Sequence, residues 1–331
     1  MISHRFLFLL LLLLPIHNSV AQEETFEPLF ENIDITKGLP HNTVQKIFQD
    51  SEGYMWFATK DGLCRYDGYN FIVYCESLVK ESISNSKVRC IAEDAHKNIW
   101  VGTDNGLNCI NLLSQHILSF FPNELSPLKS NKMNELYFDP STHLLWIATD
   151  KGITWYDTDS RKFIAPENQR AFNEETNTVG KYGDKEIYIG THNGLYIYDP
   201  DKKKICPLKQ KEGTTFVFNY ESIKYNQILK DRKGILWFAT QYGLNVLTPD
   251  GRSHILGKEE GLSKPILNVV EDKNHDIWIT TVTSVYKITV ECNADGYNFH
   301  VNSYLSEVEI LQGDLFSFPS LAAVKSLTEA I

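Results

Sequence analysis

The stretch Gly53-Tyr54-Met55-Trp56-Phe57-Ala58-Thr59-Lys60-Asp61-Gly62-Leu63 is the clearest of six copies of one motif in this 331-residue chain. It runs from a turn through an apolar segment that contains an aromatic anchor to a Thr, two polar residues, a Gly and an aliphatic residue. The aromatic residue, the anchor of each copy, is found at Trp56, Trp100, Trp146, Tyr188, Trp237 and Trp278. Successive anchors are 44, 46, 42, 49 and 41 residues apart. A repeat of this length, built of short strands, indicates a β-propeller.

Each copy of the motif reads as part of a unit of four short strands joined by polar turns, which predicts an all-β fold. The second strand of each unit, such as Tyr54–Thr59, is apolar on both faces, as expected for a strand covered on both sides. The anchor ring is therefore predicted to fill the wedge between neighbouring blades. The Ala or Gly two residues after the anchor is expected to leave room for the adjacent backbone. The sequence predicts six complete blades.

The ends of the chain are predicted to differ from the repeats. Residues 1–21 carry His4-Arg5, an apolar run and small residues before a cleavage site, which is typical of a secretory signal peptide. Residues 22–331 are then the propeller domain, in which Phe26–Ile35 reads as a strand before the first unit. Residues 296–331 are predicted to be an incomplete seventh blade, with its first strand around Ala322–Leu327. No membrane span is expected beyond the signal peptide.

The charge of the chain excludes one class of partner. The formal net charge is −10, and no run of Lys and Arg is longer than the three residues Lys202–Lys204. Duplex nucleic acid is bound through clustered positive charge, so direct nucleic-acid binding is not expected. Neutral ligands such as sugars, and protein partners, stay open.

Metal ions and cofactors are not expected. The six Cys residues show no Cys-x-x-Cys spacing, and they are interpreted as buried apolar residues rather than zinc ligands or disulfides. Asp50 and Asp231 each open an Asp-x-x-Gly turn, but these turns lack the dense oxygen ligands of a calcium loop. No catalytic Ser, His and Asp set can be assembled from the spacing.

The repeat resembles a known family. The pattern Gly-Leu-Pro-x-Asn-x-Val, then Asp-x-x-Gly-x-x-Trp-x-Ala/Gly-Thr-x-x-Gly-Leu-x-x-Tyr-Asp-Gly-x-x-Phe, is present over Gly38–Phe71 and is similar to the two-component regulator propeller repeat. The resemblance extends over nearly all of the mature chain. It implies the amino-terminal periplasmic sensor of a Bacteroides-type hybrid two-component system, which is associated with sensing carbohydrate fragments.

The same resemblance implies parts that this sequence does not show. Full-length members are expected to have two seven-bladed propellers, a β-sandwich, a membrane span and then kinase, receiver and DNA-binding parts. The sequence has no kinase region and ends where a seventh anchor is due, so we interpret it as a truncated product. An open array of six blades with exposed edges is then expected to associate, and a homodimer is one expected partner state.

The candidate ligand site is the connection between the second and third strands of each unit. In an up-and-down blade, these connections and the unit openings lie on one face. The polar pairs there are Lys60 and Asp61, Asp104 and Asn105, Asp150 and Lys151, His192 and Asn193, and Gln241 and Tyr242. Tyr242 and Trp155 could offer an aromatic platform to a sugar. The alternative interpretation is that these are ordinary hairpin residues.

The predicted function is a periplasmic, non-enzymatic, ligand-sensing propeller whose ligand is an oligosaccharide. Two alternatives stay open at this point. The first is a propeller polysaccharide lyase or glycosidase, which activity of the purified chain would reveal. The second is a protein-docking propeller without a small-molecule ligand.

Overall fold

The computed structural model describes residues 33–77, 81–123, 126–167, 172–181, 186–208, 223–293 and 296–305. The predicted signal peptide, most of the predicted strand Phe26–Ile35 and the predicted strand at 322–327 lie outside these residues. Residues 33–35 at the end of the predicted strand are not in a strand.

The described residues form 24 strands in six four-stranded antiparallel sheets, numbered one to six in chain order. Sheets one and two are β1 (Val44–Gln49), β2 (Met55–Thr59), β3 (Gly62–Tyr66), β4 (Phe71–Tyr74), β5 (Val88–Glu93), β6 (Asn98–Thr103), β7 (Gly106–Asn111) and β8 (His116–Phe120). Sheets three and four are β9 (Met133–Asp139), β10 (Leu144–Thr149), β11 (Gly152–Asp157), β12 (Lys162–Ile164), β13 (Thr176–Lys181), β14 (Ile187–Thr191), β15 (Leu195–Asp199) and β16 (Lys204–Pro207). Sheets five and six are β17 (Tyr225–Lys230), β18 (Leu236–Thr240), β19 (Gly243–Leu247), β20 (Ser253–Leu256), β21 (Asn268–Glu271), β22 (Ile277–Thr280), β23 (Val285–Asn293) and β24 (Gly296–Leu305).

Each sheet is a meander in which consecutive strands are hydrogen-bonded neighbours. Among the residues that the structure describes, no α-helix is present. The all-β prediction with six four-stranded blades is therefore confirmed. The anchors lie in the second strand of each sheet, as the motif predicted.

The core is a series of apolar clusters between successive sheets. In the first of them, Trp56 and Leu63 of sheet one pack with Val88, Ile91 and Val101 of sheet two. The same arrangement recurs for Trp100, Trp146, Tyr188 and Trp237, each of which packs in one cluster with residues of the following sheet. The prediction that anchor rings fill the wedge between neighbouring sheets is confirmed for these five.

Four anchors are also tied to the turn that precedes them. The indole N–H groups of Trp56, Trp100, Trp237 and Trp278 donate to an Asp carboxylate six residues earlier, at 2.7–3.0 Å. In the first sheet that carboxylate, Asp50, also accepts the backbone N–H groups of Glu52 and Tyr54. The buried Asp50 side chain therefore closes the turn and also accepts the indole N–H. A buried N–H group needs such an acceptor.

In the first five sheets, the Ala or Gly two positions after the anchor allows close approach of the next sheet. A Cβ added to Gly102 would contact Cys90 Sγ and lie 2.5 Å from Cβ of Met133 in sheet three. A Cβ added to Gly190 would lie 2.8 Å from Cβ of Tyr225 in sheet five. The expectation that Ala or Gly here leaves room for the neighbouring backbone is confirmed at both positions.

Replacing Gly102 by alanine is expected to lower the free energy of unfolding by about 1–3 kcal/mol, because overpacking a tight interface forces its neighbours apart. Urea denaturation measures the change. Leu113→Ala, at a side chain that is 97% exposed, is the control and should change stability by less than about 0.5 kcal/mol. An unchanged midpoint for Gly102→Ala would contradict the close packing of sheets two and three.

The structure corrects the boundary of the last predicted unit. Residues Gly296–Leu305 were predicted to begin a seventh blade, but they pair along their length with Val285–Asn293 and form the outer strand of sheet six. The resulting hairpin is longer than the others, and its Phe299 ring packs edge-on against Trp237 of sheet five, with 5.6 Å between ring centroids. Packing on the preceding sheet explains why this strand extends beyond the usual length. Residues 306–331 lie outside the described residues.

All six Cys residues are free thiols, but only Cys64 and Cys90 are buried; the prediction of burial is wrong for Cys75 and Cys292, which are exposed. Cys64 is fully buried, and burial raises the pKa of its thiol to about 12. A thiol with so high a pKa is protonated at neutral pH and unreactive. The buried thiols therefore serve as small apolar residues of the core.

Candidate functional site

The hairpins between the second and third strands are shaped by their Thr and Gly residues. Thr59 Oγ1 donates to the carbonyl of Gly62 at 2.7 Å and accepts the N–H of Asp61. The same Thr-to-Gly bond, at 2.8–2.9 Å, forms at Thr103, Thr149, Thr191 and Thr240. The turn therefore does not depend on the side chains of the polar pair between Thr and Gly.

Backbone bonds place these hairpins beside the openings of the units. The N–H of Lys60 donates to the carbonyl of Thr43, just before β1, and the N–H of Gly62 donates to the carbonyl of Ser86, just before β5. Asp104 and Gly106 make the equivalent bonds one sheet later. The hairpins and the first-strand starts therefore lie on one face, which we call the hairpin face.

The ten predicted site residues all lie in these hairpins, but they differ in exposure. The exposed members are Lys60, Asp61, Asn105, Lys151, His192, Asn193 and Tyr242. The half-buried members are Asp104, Asp150 and Gln241, each of which is the first residue of its pair. The half-buried side chains are the ones placed to interact with the first strands beneath them.

Trp155 does not offer an exposed aromatic surface on the hairpin face. Its side chain is only 4% exposed, and its ring lies 4.5 Å from that of Trp146 in the core between sheets three and four. Its predicted role as an aromatic platform is therefore wrong, because β11 is covered on the face that carries this side chain. Tyr242, by contrast, is 71% exposed.

The structure adds a row of polar residues that sequence reasoning missed. Five first strands carry a β-bulge near the hairpin face, and each bulge leaves one residue out of register with the second strand. These bulge residues are Gln45, Arg89, Asn134, Asn177 and Asn226. Bulges re-aim side chains and are common beside functional sites. All five are planar amides or a guanidinium at the second position of the strand, which is the signal that could have found them.

The bulge residues link one sheet to the next. Arg89 donates to Asp104 Oδ1 and to Asn134 Oδ1, both at 3.2 Å. Asn134 Nδ2 donates to the carbonyl of Thr176 at 2.9 Å. Asn226 makes the corresponding bond to the carbonyl of Ile266 at 2.7 Å. Three of the five bulge residues, Arg89, Asn134 and Asn226, therefore form hydrogen bonds to the following sheet.

Three buried polar atoms of the hairpins and bulge residues have no hydrogen-bond partner within the described part of the chain. They are Arg89 Nε, Asp150 Oδ1 and Asn177 Nδ2. Asp104 in sheet two is paired with Arg89 and lies 3.8 Å from Lys87 Nζ, whereas Asp150 at the same position in sheet three has Asn134 beneath it in place of an Arg. Asp104 is thus paired with a cation of its own sheet, whereas Asp150 Oδ1 has no partner among the described residues.

An ion pair lies one residue further into the first strands. Lys46 of β1 donates to Glu135 of β9 at 3.0 Å, and both side chains are largely buried. Burial alone would lower the pKa of Lys46, but Glu135 more than offsets this, and the net effect raises the pKa. The pair joins sheets one and three, which are not consecutive in the chain.

A separate concave surface lies on the outer strands. A groove of about 590 Å³ between β8 and β12 is lined by Phe120, Phe121, Pro122, Lys162 and Phe163 among others. None of the ten predicted residues lines it. Within the described ranges, no group of three or more His, Cys, Asp or Glu residues is arranged to hold a metal ion. No helix of the described residues is long and apolar enough to cross a membrane.

Comparison with known proteins identifies the repeat. Residues 38–61 and 82–105 match the family described as two component regulator propeller. These stretches contain the anchors of sheets one and two together with their hairpins. The resemblance predicted from the motif is therefore confirmed. No curated protein matches the chain in sequence.

Solved structures with this fold include extracellular domains of bacterial signalling systems. The extracellular domain assigned to the hybrid two component system BT3049 of B. thetaiotaomicron is 26% identical, with a TM-score of 0.66 over 78% of this chain. That of BT4673, assigned to a one component system of the same organism, is 20% identical, with a TM-score of 0.62 over 85% of this chain. This chain spans only 35% and 42% of those two chains.

An enzyme shares the fold at lower identity. Virginiamycin B lyase from Staphylococcus aureus is 13% identical, with a TM-score of 0.57 over 78% of this chain and 85% of its own. Identity at this level shows a common fold alone, since one propeller fold serves many functions.

Proposed function

We propose that this chain, which carries two-component regulator propeller repeats, is the ligand-sensing propeller of a hybrid two-component signalling receptor and acts in the periplasm. The observation that carries the proposal is the 26% identity to the extracellular domain of such a system over 78% of this chain. The family match at residues 38–61 and 82–105 supports it independently, because it rests on the repeat motif itself.

The proposed ligand is an oligosaccharide that binds on the hairpin face. Amide, carboxylate and hydroxyl groups from successive sheets lie on that face, and sugars are bound through many such groups at once. The net charge of −10 favours a neutral ligand over a polyanion. The proposed role is binding rather than turnover, and signalling follows when binding alters the geometry or association of the sheets.

Binding to the full chain tests this function. Calorimetric titration with a panel of short oligosaccharides should give saturable heats for at least one, and the same sugar should raise the unfolding temperature. At a ligand concentration of about 100 times Kd, the expected stabilisation is about 2.7 kcal/mol. Product analysis of the same mixtures should show the sugar unchanged.

Two results would contradict the proposal. Cleavage of the sugar by the purified chain would favour the lyase or glycosidase alternative. The absence of binding across the panel, together with saturable binding of a protein, would favour the docking alternative.

A further inference from the structure

We infer that the ligand is recognised at the boundary between sheets three and four, where Asp150 and Asn177 take a pair of neighbouring hydroxyl groups. This inference rests on the function proposed above and gives it a defined point of contact. It names two of the residues on the hairpin face as binding residues, one of which, Asn177, lies outside the hairpins.

The two residues flank the same boundary. Asp150 follows Thr149, which pairs with Met133 at the start of β9. Asn134, the next residue of that strand, donates to the carbonyl of Thr176 at 2.9 Å. Asn177 directly follows Thr176 in β13. The strand pairing of Thr149 with Met133 and the hydrogen bond from Asn134 to Thr176 therefore link the segments that carry Asp150 and Asn177.

Both residues present a buried polar atom that the described part of the chain does not pair. When Asp150 is ionised, its Oδ1 accepts hydrogen bonds but cannot donate them. Asn177 Nδ2 donates hydrogen bonds but cannot accept them. Folded proteins pair more than about 90% of such groups, because an unpaired buried group destabilises the fold. An acceptor and a donor left unpaired at one boundary fit a site whose partner is a ligand.

In sheet two, the position equivalent to Asp150 is paired with another residue of the protein. Asp104, the counterpart of Asp150, accepts from Arg89, which is the bulge residue of its own sheet. In sheet three the bulge residue is Asn134, whose amide is used by Thr176 and by Arg89. Asn134 supplies no positive charge to Asp150, and within the described residues Asp150 Oδ1 has no hydrogen-bond donor.

The chemistry of the two atoms defines the ligand class. A hydroxyl group both donates and accepts, so one hydroxyl can donate to Asp150 Oδ1 while its neighbour accepts from Asn177 Nδ2. A carboxylate in the ligand would be repelled by Asp150, and an ammonium group would leave Asn177 unpaired. Arg89 Nε, the third unpaired atom, lies one sheet back and can donate to a further ligand oxygen. A neutral polyol with adjacent hydroxyls satisfies this arrangement.

The test combines ligand binding with stability in the full chain. Asp150→Asn and Asn177→Ala are titrated with neutral disaccharides and with the corresponding disaccharides that contain a uronic acid. We expect at least a tenfold loss of affinity for the neutral sugar that binds the wild type, and weaker binding of its uronic acid counterpart. Asp201→Asn, the same change at an exposed residue of the turn between β15 and β16, lies outside the hairpin face, is the matched control and should bind normally.

Stability separates a binding role from a structural one. Because Asn177 Nδ2 makes no bond within the described residues, Asn177→Ala should keep or raise the unfolding midpoint in urea. Asp104→Asn, which weakens a paired carboxylate, should lower it. A lowered midpoint for Asn177→Ala with unchanged sugar affinity would overturn the inference and leave the proposed function standing. A wild type that binds no disaccharide in either set would overturn both.

Discussion

Replacing Trp237 by alanine is expected to lower the free energy of unfolding by about 3–5 kcal/mol. The ring is fully buried, packs edge-on against Phe299 of sheet six and donates its N–H to Asp231 Oδ2 at 3.0 Å. Alanine would leave a cavity at the interface of sheets five and six. It would also remove the bond to Asp231, a carboxyl whose pKa burial already raises. The cavity and the lost hydrogen bond both lower the free energy of unfolding.

Urea unfolding followed by circular dichroism measures this effect, since the substitution removes one of the fluorescent indoles. Tyr242→Ala is the control, because Tyr242 is 71% exposed and should change stability by less than about 0.5 kcal/mol. Repeat arrays can unfold in stages, so calorimetry should accompany the titration. A change below about 1 kcal/mol for Trp237→Ala would contradict the role of anchor rings as the packing unit between sheets.

The fold was predictable because three physical requirements repeat in the sequence. A bulky ring is needed at each wedge, a small residue must follow where the next sheet approaches, and Thr with Gly shapes the hairpin. Gly102 and Thr59 illustrate the last two, and each could be read from its position relative to the anchor. Local rules of this kind act within one unit and leave a regular pattern.

The candidate site was predictable only in part. The hairpin pairs were found because the motif delimits them, and Asp150 is among them. Asn177 was missed because its importance depends on a β-bulge, and register against a second strand is not visible in one strand's sequence. Trp155 was misjudged for a similar reason, since only the packing of sheets three and four shows that its face is covered.

The extent of the last described sheet was also decided by packing. Gly296–Leu305 has no anchor and resembles the start of a new unit when read alone. Its place in sheet six follows from pairing with β23 and from the contacts of Phe299 with Trp237 and His254 in sheet five. The spacing between anchors locates the second strands well, because the anchors lie in them. It locates the outer strands poorly, because they carry no anchor.

Asp94→Ala is expected to lower the free energy of unfolding by about 2–4 kcal/mol, because hydrogen bonds to a charged group are strong and their loss leaves donors unpaired. The carboxylate accepts the backbone N–H groups of His96 and Asn98 and the indole N–H of Trp100, at 2.7–3.0 Å. Truncation would release the turn between β5 and β6 and leave a buried indole without its acceptor. Urea denaturation measures the loss.

The third sheet supplies the control that isolates the indole bond. Its turn is one residue longer, so Asp139 lies seven residues before Trp146, bonds Ser141 and Thr142 instead, and leaves Trp146 Nε1 without a partner among the described residues. Trp100 and Trp146 are both 2% exposed, so Trp→Phe removes a similar amount of buried surface at each. Trp100→Phe should therefore lower the free energy of unfolding by about 1.5–3 kcal/mol more than Trp146→Phe does. This difference is the contribution of one hydrogen bond to a carboxylate. Equal losses at the two positions would show that the rings stabilise the propeller by packing alone and that the Asp-to-Trp bond adds nothing.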